Sequence, residues 1–341
     1  MNVLRFTAET ITPLVIAGAD PKSPNVLAEG LRPSSLRGAM RWWFRAMMGG
    51  IVGAHDNYKT LRNLEEKVFG STHQGSSVRL RTYPIGDMKA DKAYLCMNDD
   101  QGQTKSGTKR SNISKPSIWP PSKFLIRIDG YNKDGIILAL SSLWLLTMLG
   151  GLGNRARRGF GSLSLAPEDE QTKKAAQELG FDFSYPDKSL EDVKGTLETQ
   201  LKKVHGYFTS CALPTSSPPP AQFPVLSRAQ AKLWLIAPRG RFWTSWQEAM
   251  GPHQAPGGLR DDIYRAYKTI QGLDAIGGAK PRLASPLTIQ IKRTGQDKYL
   301  GVILAFDDTK SGSFYFGPTW AVLDGFLKRL SAYEVHEVAL P

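Results

Sequence analysis

The sequence predicts an α+β protein built from two tandem units, each with the element order β-α-β-β-α-β and an antiparallel sheet. Several short segments alternate apolar with polar residues, as half-buried strands do. Apolar helical segments separate these strands, and the same order recurs after a proline-rich stretch at residues 214–220. The repeat lies in the order of the elements rather than in residue identity. A length of 341 residues is enough for two domains.

The sequence predicts four strands and three helices in the first unit. The helix after the first strand is capped by Ser34 or Ser35 and ends near Met48, where Gly49-Gly50 stops it. Asp134 caps the most apolar helix. We expect loops at residues 12–31 and 101–117, the latter basic and mobile. The strands are predicted at residues 4–9, 78–83, 123–128 and 160–166, and the helices at residues 35–48, 61–69 and 135–149.

A polar, helical connector at residues 167–208 is predicted to join this unit to the second. The second unit has predicted strands at residues 232–237, 287–292, 299–306 and 334–340, and helices at residues 242–250, 259–270 and 319–332. Each unit is therefore ferredoxin-like and RRM-like, with two helices on one face of the sheet and the other face free. The predicted domains are residues 1–166, 167–222 and 223–341.

The charge of the chain indicates its class of partner. Lysine and arginine number 44 against 31 acids, which gives a net charge of +13 and a pI near 9.6. This excess favours a polyanion, either nucleic acid or an anionic membrane surface. The most apolar run, residues 136–150, is shorter than the roughly 20 residues of a membrane helix. The N-terminus lacks a signal-peptide pattern, so we expect nucleic acid and no membrane.

Cysteine usage indicates the compartment. Cys96 and Cys211 are the only cysteines and no CxxC pair occurs, which disfavours a zinc site or a disulfide framework. One disulfide bridge between them remains open, but a reducing cytoplasm is the simpler expectation.

Residues 150–161, GGLGNRARRGFG, form what we call the glycine–arginine loop. Its glycines let the backbone approach an anionic ligand closely, and its arginines can bind phosphate through bidentate forks. The alternative is a flexible surface turn with solvated arginines. The candidate RNA-binding residues of this loop are Gly150, Gly151, Asn154, Arg155, Arg157, Arg158 and Phe160.

The end of this loop matches part of a nucleic-acid motif. Residues 158–161 fit the first four positions of the RNP1 pattern of RNA-recognition motifs, but the later aromatic positions do not fit. The match also lies on the fourth strand instead of the third, so an aromatic base-stacking platform is not expected. Phe160 either stacks a single base or belongs to the core.

The first helix offers a second candidate surface. Arg37, Arg41 and Arg45 follow each other at intervals of four and share one helix face, on which no acid lies. The free N–H groups of a helix N-terminus suit a phosphate, and Arg32, Ser34 and Ser35 lie there. The alternative is an ordinary amphipathic helix with a solvated basic face.

A second glycine-plus-base stretch, residues 277–282, precedes a strand in the second unit. Lys280 and Arg282 are its candidate RNA-binding residues, with a plain turn as the alternative.

No constellation in the sequence points clearly to catalysis. The five histidines show no metal-ligand spacing, and the acid pairs in predicted loops fit turns or helix caps better than a two-metal site. The GxxxxGK[ST] phosphate loop is absent, so neither an NTPase nor a nucleotide cofactor is expected. His73, in a Gly/Ser-rich segment, is the best candidate for a general acid or base in a metal-independent ribonuclease.

Taken together, these motifs resemble the RAMP superfamily of CRISPR-associated RNA-binding proteins. The likeness is greatest to the family of the first-named subunit of the type III-B (Cmr) RNA-silencing complex. It lies in the duplicated unit, the glycine–arginine loop, and residues 32–38 (RPSSLRG) running into Arg41-Trp42-Trp43. Residues 167–220 contribute nothing to it. Further similar motifs are residues 12–14 with 18–20, residues 69–71, and residues 282–286.

The resemblance implies a non-catalytic RNA-binding subunit of a cytoplasmic Cmr effector complex in antiviral defence, without a metal or other cofactor. Its expected partners are the guide RNA (crRNA), near its 3′ part, the target RNA and other Cmr subunits. In that family, target cleavage belongs to a different subunit. Two alternatives remain: a metal-independent guide-processing endoribonuclease that uses a histidine, and a purely structural subunit that docks on acidic neighbours.

Overall fold

The computed structural model describes residues 3–16, 26–53, 58–94, 114–212, 223–251, 258–259, 278–279, 282–283, 287–306, 325, 327–328 and 330–341. Its helices are α1 (Val26–Glu29), α2 (Pro33–Val52), α3 (Tyr58–Phe69), α4 (Lys133–Leu149), α5 (Glu170–Glu178), α6 (Leu190–Ser210) and α7 (Trp246–Met250). Its strands are β1 (Val3–Thr10), β2 (Val78–Ile85), β3 (Lys89–Tyr94), β4 (Ser114–Trp119), β5 (Lys123–Gly130), β6 (Leu163–Pro167), β7 (Ala231–Pro238), β8 (Gly278–Ala279), β9 (Arg282–Leu283), β10 (Leu287–Gly295), β11 (Lys298–Phe306) and β12 (Tyr333–Val338).

The first four-stranded sheet has the order β2-β5-β1-β6, with every neighbouring pair antiparallel. This is the order of a β-α-β-β-α-β ferredoxin-like unit. Alternation along β1 separates two faces: Leu4, Phe6 and Ala8 are fully buried, whereas the residues between them point to the opposite face. The buried face packs with α2 and α4 in one hydrophobic core.

The second sheet repeats the first. Its order is β10-β11-β7-β12, which corresponds strand for strand to that of the first sheet, and its pairs are again antiparallel. The predicted α+β class with two tandem ferredoxin-like units is confirmed. The helices predicted at residues 259–270 and 319–332 lie almost wholly outside the described residues.

Helix α2 does not stop at its double glycine, so that prediction was wrong. The helix begins at Pro33 with Arg32 as its N-cap and continues to Val52. A Cβ atom on Gly49 would lie 3.0 Å from a methyl carbon of Val225, and the Leu226 N–H donates to the Ala46 carbonyl at 2.8 Å. The glycines therefore make room for residues 223–227 to pack against the helix.

Other boundaries also differ from the prediction. Strand β6 begins at Leu163, so residues 160–162 belong to the preceding loop. The N-cap of α4 is Asn132, whose side chain accepts from the Gly135 N–H at 2.6 Å, and not Asp134. Residues 114–117 lie in β4, which pairs with β3 in a hairpin that the sequence did not reveal.

The predicted connector contributes to the core. One side of α6 is buried, and the helix packs against α2, α4, β7 and β12. Trp42 and Phe306 also meet edge to face across the two units, with ring centroids 5.6 Å apart. The domain boundaries at residues 166 and 222 stay a prediction.

Among the helices that the structure describes, none is long and apolar enough to cross a membrane.

Candidate nucleic-acid interface

The glycine–arginine loop follows α4 and closes on itself. The Leu152 N–H donates to the Gly161 carbonyl at 2.9 Å, which ties the two ends of the loop together. Gly161 has a φ of +67°, and a Cβ atom there would lie only 1.8 Å from the Leu152 carbonyl oxygen. This position therefore requires glycine for its backbone conformation and for its close contact.

The first unit holds the loop from one side. The Val15 carbonyl accepts from the Asn154 N–H at 2.7 Å, and the Pro13 carbonyl accepts from the Gly161 N–H at 3.0 Å. The segment after β1 is thus a support for the loop. These hydrogen bonds anchor the turn to the first unit. The loop is therefore not the flexible surface turn that was the alternative prediction.

The second unit holds the loop from the other side. The Ile289 N–H donates to the Arg157 carbonyl at 3.0 Å, and the Ile289 carbonyl accepts from the Gly159 N–H at 2.8 Å. Arg158 and Ile289 form a parallel β-bridge at the edge strand β10. The loop consequently extends the second sheet and joins both units.

Two polar residues of β10 complete this support, although no motif in the sequence marks them as part of the site. Gln290 and Lys292 are the polar residues of an alternating strand, but they are 0% and 1% exposed. The Gln290 amide donates to the Ala156 carbonyl, and its oxygen accepts from the Ser162 hydroxyl at 2.6 Å. Lys292 Nζ donates to the Thr147 and Gly150 carbonyls at 2.5 and 2.7 Å. Burial on both faces of a strand is visible only when the packed units are known.

Burial lowers the pKa of Lys292 from its ordinary value of 10.5 to about 7. Between pH 7 and 10 the unfolded chain keeps this proton while the folded protein has lost it, so folding becomes more favourable as the pH rises. Relative to the Lys292→Met variant, the wild-type free energy of unfolding should therefore rise by roughly 1 kcal/mol per pH unit in this window. Urea unfolding of both proteins across the window measures the difference. A pH-independent difference would mean that the ammonium stays charged on the C-terminal carbonyls of α4.

The side chains of the loop divide into exposed and buried groups. Asn154, Arg157 and Arg158 are exposed, and Arg155 is half-buried with a φ of +63°. Phe160 is fully buried in a hydrophobic cluster of the second unit, which decides between the two alternatives in favour of the core.

The first two glycines of the loop are packing positions. A Cβ atom on Gly150 would lie 2.6 Å from Trp43 Nε1, and one on Gly151 would lie 2.7 Å from Gln290 Oε1. Their lack of a side chain lets α2 and β10 come close to the loop. Their predicted contact with RNA stays a prediction.

The basic face of α2 lies against an acidic residue of the neighbouring helix α3. Glu65 of α3 is 3% exposed, and its carboxylate accepts hydrogen bonds from Arg41 and from Arg45, the latter at 3.2 Å. No acid lies on this face of α2 itself, as the sequence indicates, but an acid from the neighbouring helix α3 reaches the arginines. Arg41 and Arg45 keep 31% and 38% of their side chains exposed.

The start of α2 holds the remaining predicted residues of that helix. Arg32 lies 3.6 Å from Glu29, and Ser34 and Ser35 are exposed. Arg37 is half-buried, and its buried Nε atom has no hydrogen-bond partner among the residues that the structure describes. Arg37, Arg41 and Arg45 thus all lie in α2, as the sequence predicts.

Two further predicted RNA-binding residues can be placed only in part. Lys280 lies outside the described residues, and Arg282 lies in the short strand β9, where only its backbone is described.

The candidate catalytic histidine lies in a surface turn. The His73 N–H donates to the Ser71 hydroxyl at 3.2 Å, and the residue is exposed. Across the described part of the chain, no three His, Cys, Asp or Glu residues are grouped so that they could hold a metal ion.

Comparisons with known proteins agree on one group of relatives. A model of the RAMP superfamily matches residues 7–164. The CRISPR system Cmr subunit Cmr1-2 of Pyrococcus furiosus is 36% identical over 183 residues, covering 47% of this chain and 93% of that protein. The Cmr1-1 subunit of the same organism is 31% identical over 176 residues, covering 50% of this chain and 49% of that protein.

Solved structures resemble the whole chain in fold. The crystal structure of Cmr1 from Pyrococcus furiosus in its apo form has a TM-score of 0.63 at 23% identity, over 100% of this chain and 99% of that one. A chain in the structure of type III-B Cmr-β bound to cognate target RNA has a TM-score of 0.53 at 14% identity, over 97% and 99% of the two chains.

Proposed function

The chain belongs to the RAMP superfamily and to its family of Cmr1 subunits, and from this premise we propose that it is a non-catalytic RNA-binding subunit of a type III-B CRISPR effector complex. The single observation that carries the proposal is the glycine–arginine loop. It presents exposed arginines from a turn that both units anchor by backbone hydrogen bonds. A preorganised loop loses little conformational freedom when it binds a phosphodiester backbone.

Charge and relatives support the same proposal. The net charge of +13 suits a polyanionic partner. The type III-B complex in which a chain of this fold occurs is bound to cognate target RNA. By this analogy we propose target RNA and other Cmr subunits as partners of the present chain. Guide RNA as a further partner, and the lack of a nucleotide cofactor, are expectations from the sequence.

Within the site, we assign the leading role to Arg155, Arg157 and Arg158, which contact phosphates. Arg41 and Arg45 contribute less, because the Glu65 carboxylate already accepts hydrogen bonds from both. Contact with phosphates positions RNA without reading its sequence, so we expect little sequence preference.

The test is the triple variant Arg155→Ala, Arg157→Ala and Arg158→Ala, titrated with single-stranded RNA at several salt concentrations. Each lost phosphate contact flattens the slope of log K against log salt by about 0.7, so three contacts give a change of about 2. Affinity should fall alike for unrelated RNA sequences. The matched control replaces three exposed lysines, Lys174, Lys202 and Lys328, and should change the slope much less. Unchanged RNA affinity in the loop variant would overturn the assignment.

The non-catalytic part of the proposal has its own test. Labelled RNA is incubated with the protein in EDTA, and intact RNA is the expected result. Discrete cleavage that disappears in the His73→Ala variant would instead identify a metal-independent ribonuclease.

A further inference from the structure

The outward face of the first sheet carries a row of arginines that come from three different strands. Arg127 of β5 lies directly opposite Arg5 of β1 on one side and Arg81 of β2 on the other. We call these three residues the arginine row. Like charges directly opposite each other on neighbouring strands destabilise a sheet. Such a row therefore costs stability and points to a use for its charge.

Carboxylates neutralise the row only in part. Asp129 accepts from Arg127 at 2.7 Å and from Arg81 at 2.9 Å, and Asp169 accepts from Arg5 at 3.2 Å. These contacts use one N–H donor of each guanidinium group, which carries five. The three side chains are 31% to 40% exposed. Within the described part of the chain, most donors of the row are therefore left for a ligand.

The surroundings of the row add charge and an aromatic ring. Arg79 is exposed and makes no side-chain hydrogen bond within the described chain, and Lys123 is exposed at 3.7 Å from Glu9. Tyr83, two residues beyond Arg81 on the same face of β2, is 47% exposed and lies opposite Leu125. The outward strand positions thus hold five cations, and four carboxylates face them: Glu9 and Asp129 on the strands, and Glu168 and Asp169 beside β1.

We propose that this sheet face is a second RNA-binding surface of the protein. Single-stranded RNA crosses β2, β5 and β1 with its phosphates on the arginine row and on Arg79, and with one base stacked on Tyr83. Strands lie about 4.8 Å apart, so the row extends about 10 Å across the sheet. Basic residues with an adjacent exposed aromatic ring are the features that bind single strands without sequence preference. The inference rests on the proposed function and adds a site away from the glycine–arginine loop.

RNA fits this face better than an acidic protein does. Guanidinium forks match phosphate oxygens in pairs, and an exposed tyrosine gives a base a surface to stack on. An acidic partner protein would need the cations but would gain nothing specific from Tyr83. The role of Tyr83 therefore separates the two partners experimentally.

The experiment uses two variants in the edge strand β2, whose side chains can change without opening the core. Arg79→Gln with Arg81→Gln should flatten the salt slope for single-stranded RNA by about 1.4. Tyr83→Ala should weaken binding by roughly 5- to 150-fold, the value of one stacked base. The matched controls are Lys202→Gln with Lys328→Gln, and Tyr58→Ala, a tyrosine 58% exposed on α3. Unchanged melting temperatures would show that the variants remain folded.

Photo-crosslinking of 4-thiouridine RNA to the wild-type protein gives a second measurement. Crosslinks mapped to β2 or β5 are expected, and they should be lost in the Tyr83→Ala variant. If the loop variant loses RNA affinity while both β2 variants bind normally, the sheet-face site is wrong and the proposed function stands. If the wild-type protein binds no RNA, both the sheet-face site and the proposed function are wrong. Loss of complex assembly with normal RNA binding in the β2 variants would identify an acidic protein as the partner and overturn the proposal.

Discussion

Gly161→Ala is expected to destabilise the protein by roughly 2–5 kcal/mol. A left-handed conformation costs a non-glycine residue about 1–2 kcal/mol, and an overpacked contact adds about 1–3 kcal/mol. Both apply here, because φ is +67° and the new Cβ atom would lie 1.8 Å from the Leu152 carbonyl oxygen. That oxygen belongs to the backbone of the same loop, so it cannot move without disturbing the turn.

Urea unfolding measures this loss, and Gly195→Ala on α6 is the matched control. A Cβ atom on Gly195 would meet no atom within 4 Å, and alanine is the better helix former by roughly 0.5–1 kcal/mol. The control should therefore gain stability. RNA affinity of Gly161→Ala should also fall, because the displaced loop no longer presents its arginines. Wild-type stability in this variant would contradict the described geometry of the loop.

Phe160→Ala should cost about 3–5 kcal/mol of stability, the usual loss for a large side chain removed from a core. Phe160 is fully buried in the cluster that contains Trp243 and Ile291 of the second unit. The substitution therefore leaves a cavity at the junction of the loop and the second sheet. Phe160→Leu keeps much of the apolar volume and should cost less.

This pair of variants also tests the base-stacking alternative. If Phe160 belongs to the core, the stability losses should follow side-chain volume. RNA affinity measured where both variants are folded should then change little. If Phe160→Ala instead keeps wild-type stability and binds RNA weakly, the ring contacts a base and the buried position is wrong.

The fold could be predicted from local patterns because each element carries its own signal. Alternation in β1 places Leu4, Phe6 and Ala8 on the core face whatever the rest of the chain does. The apolar run of α4 could only be a buried helix. Boundaries were less predictable, because the end of α2 depends on Val225 packing against Gly49 from far along the chain.

The sequence predicts which basic residues form the candidate site, but not which residues of other elements contact them. The sequence identified the arginines of α2, yet Glu65 reaches them from another helix. It identified β10 as a strand that alternates apolar with polar residues, yet the loop covers the polar Gln290 and Lys292. Neither contact has a local signal, since the partners are separated by 20 or more residues in sequence.

The sequence by itself determined the class of fold, the tandem repeat, the basic character and the glycine–arginine loop. These properties depend on composition and on periodicities of two to four residues, which are local. Only the tertiary structure decided which arginines are paired, that Phe160 is buried, and that Arg5, Arg127 and Arg81 form a row. Strand register and the docking of two units bring distant residues together, and these contacts fix the charge and exposure of each side chain.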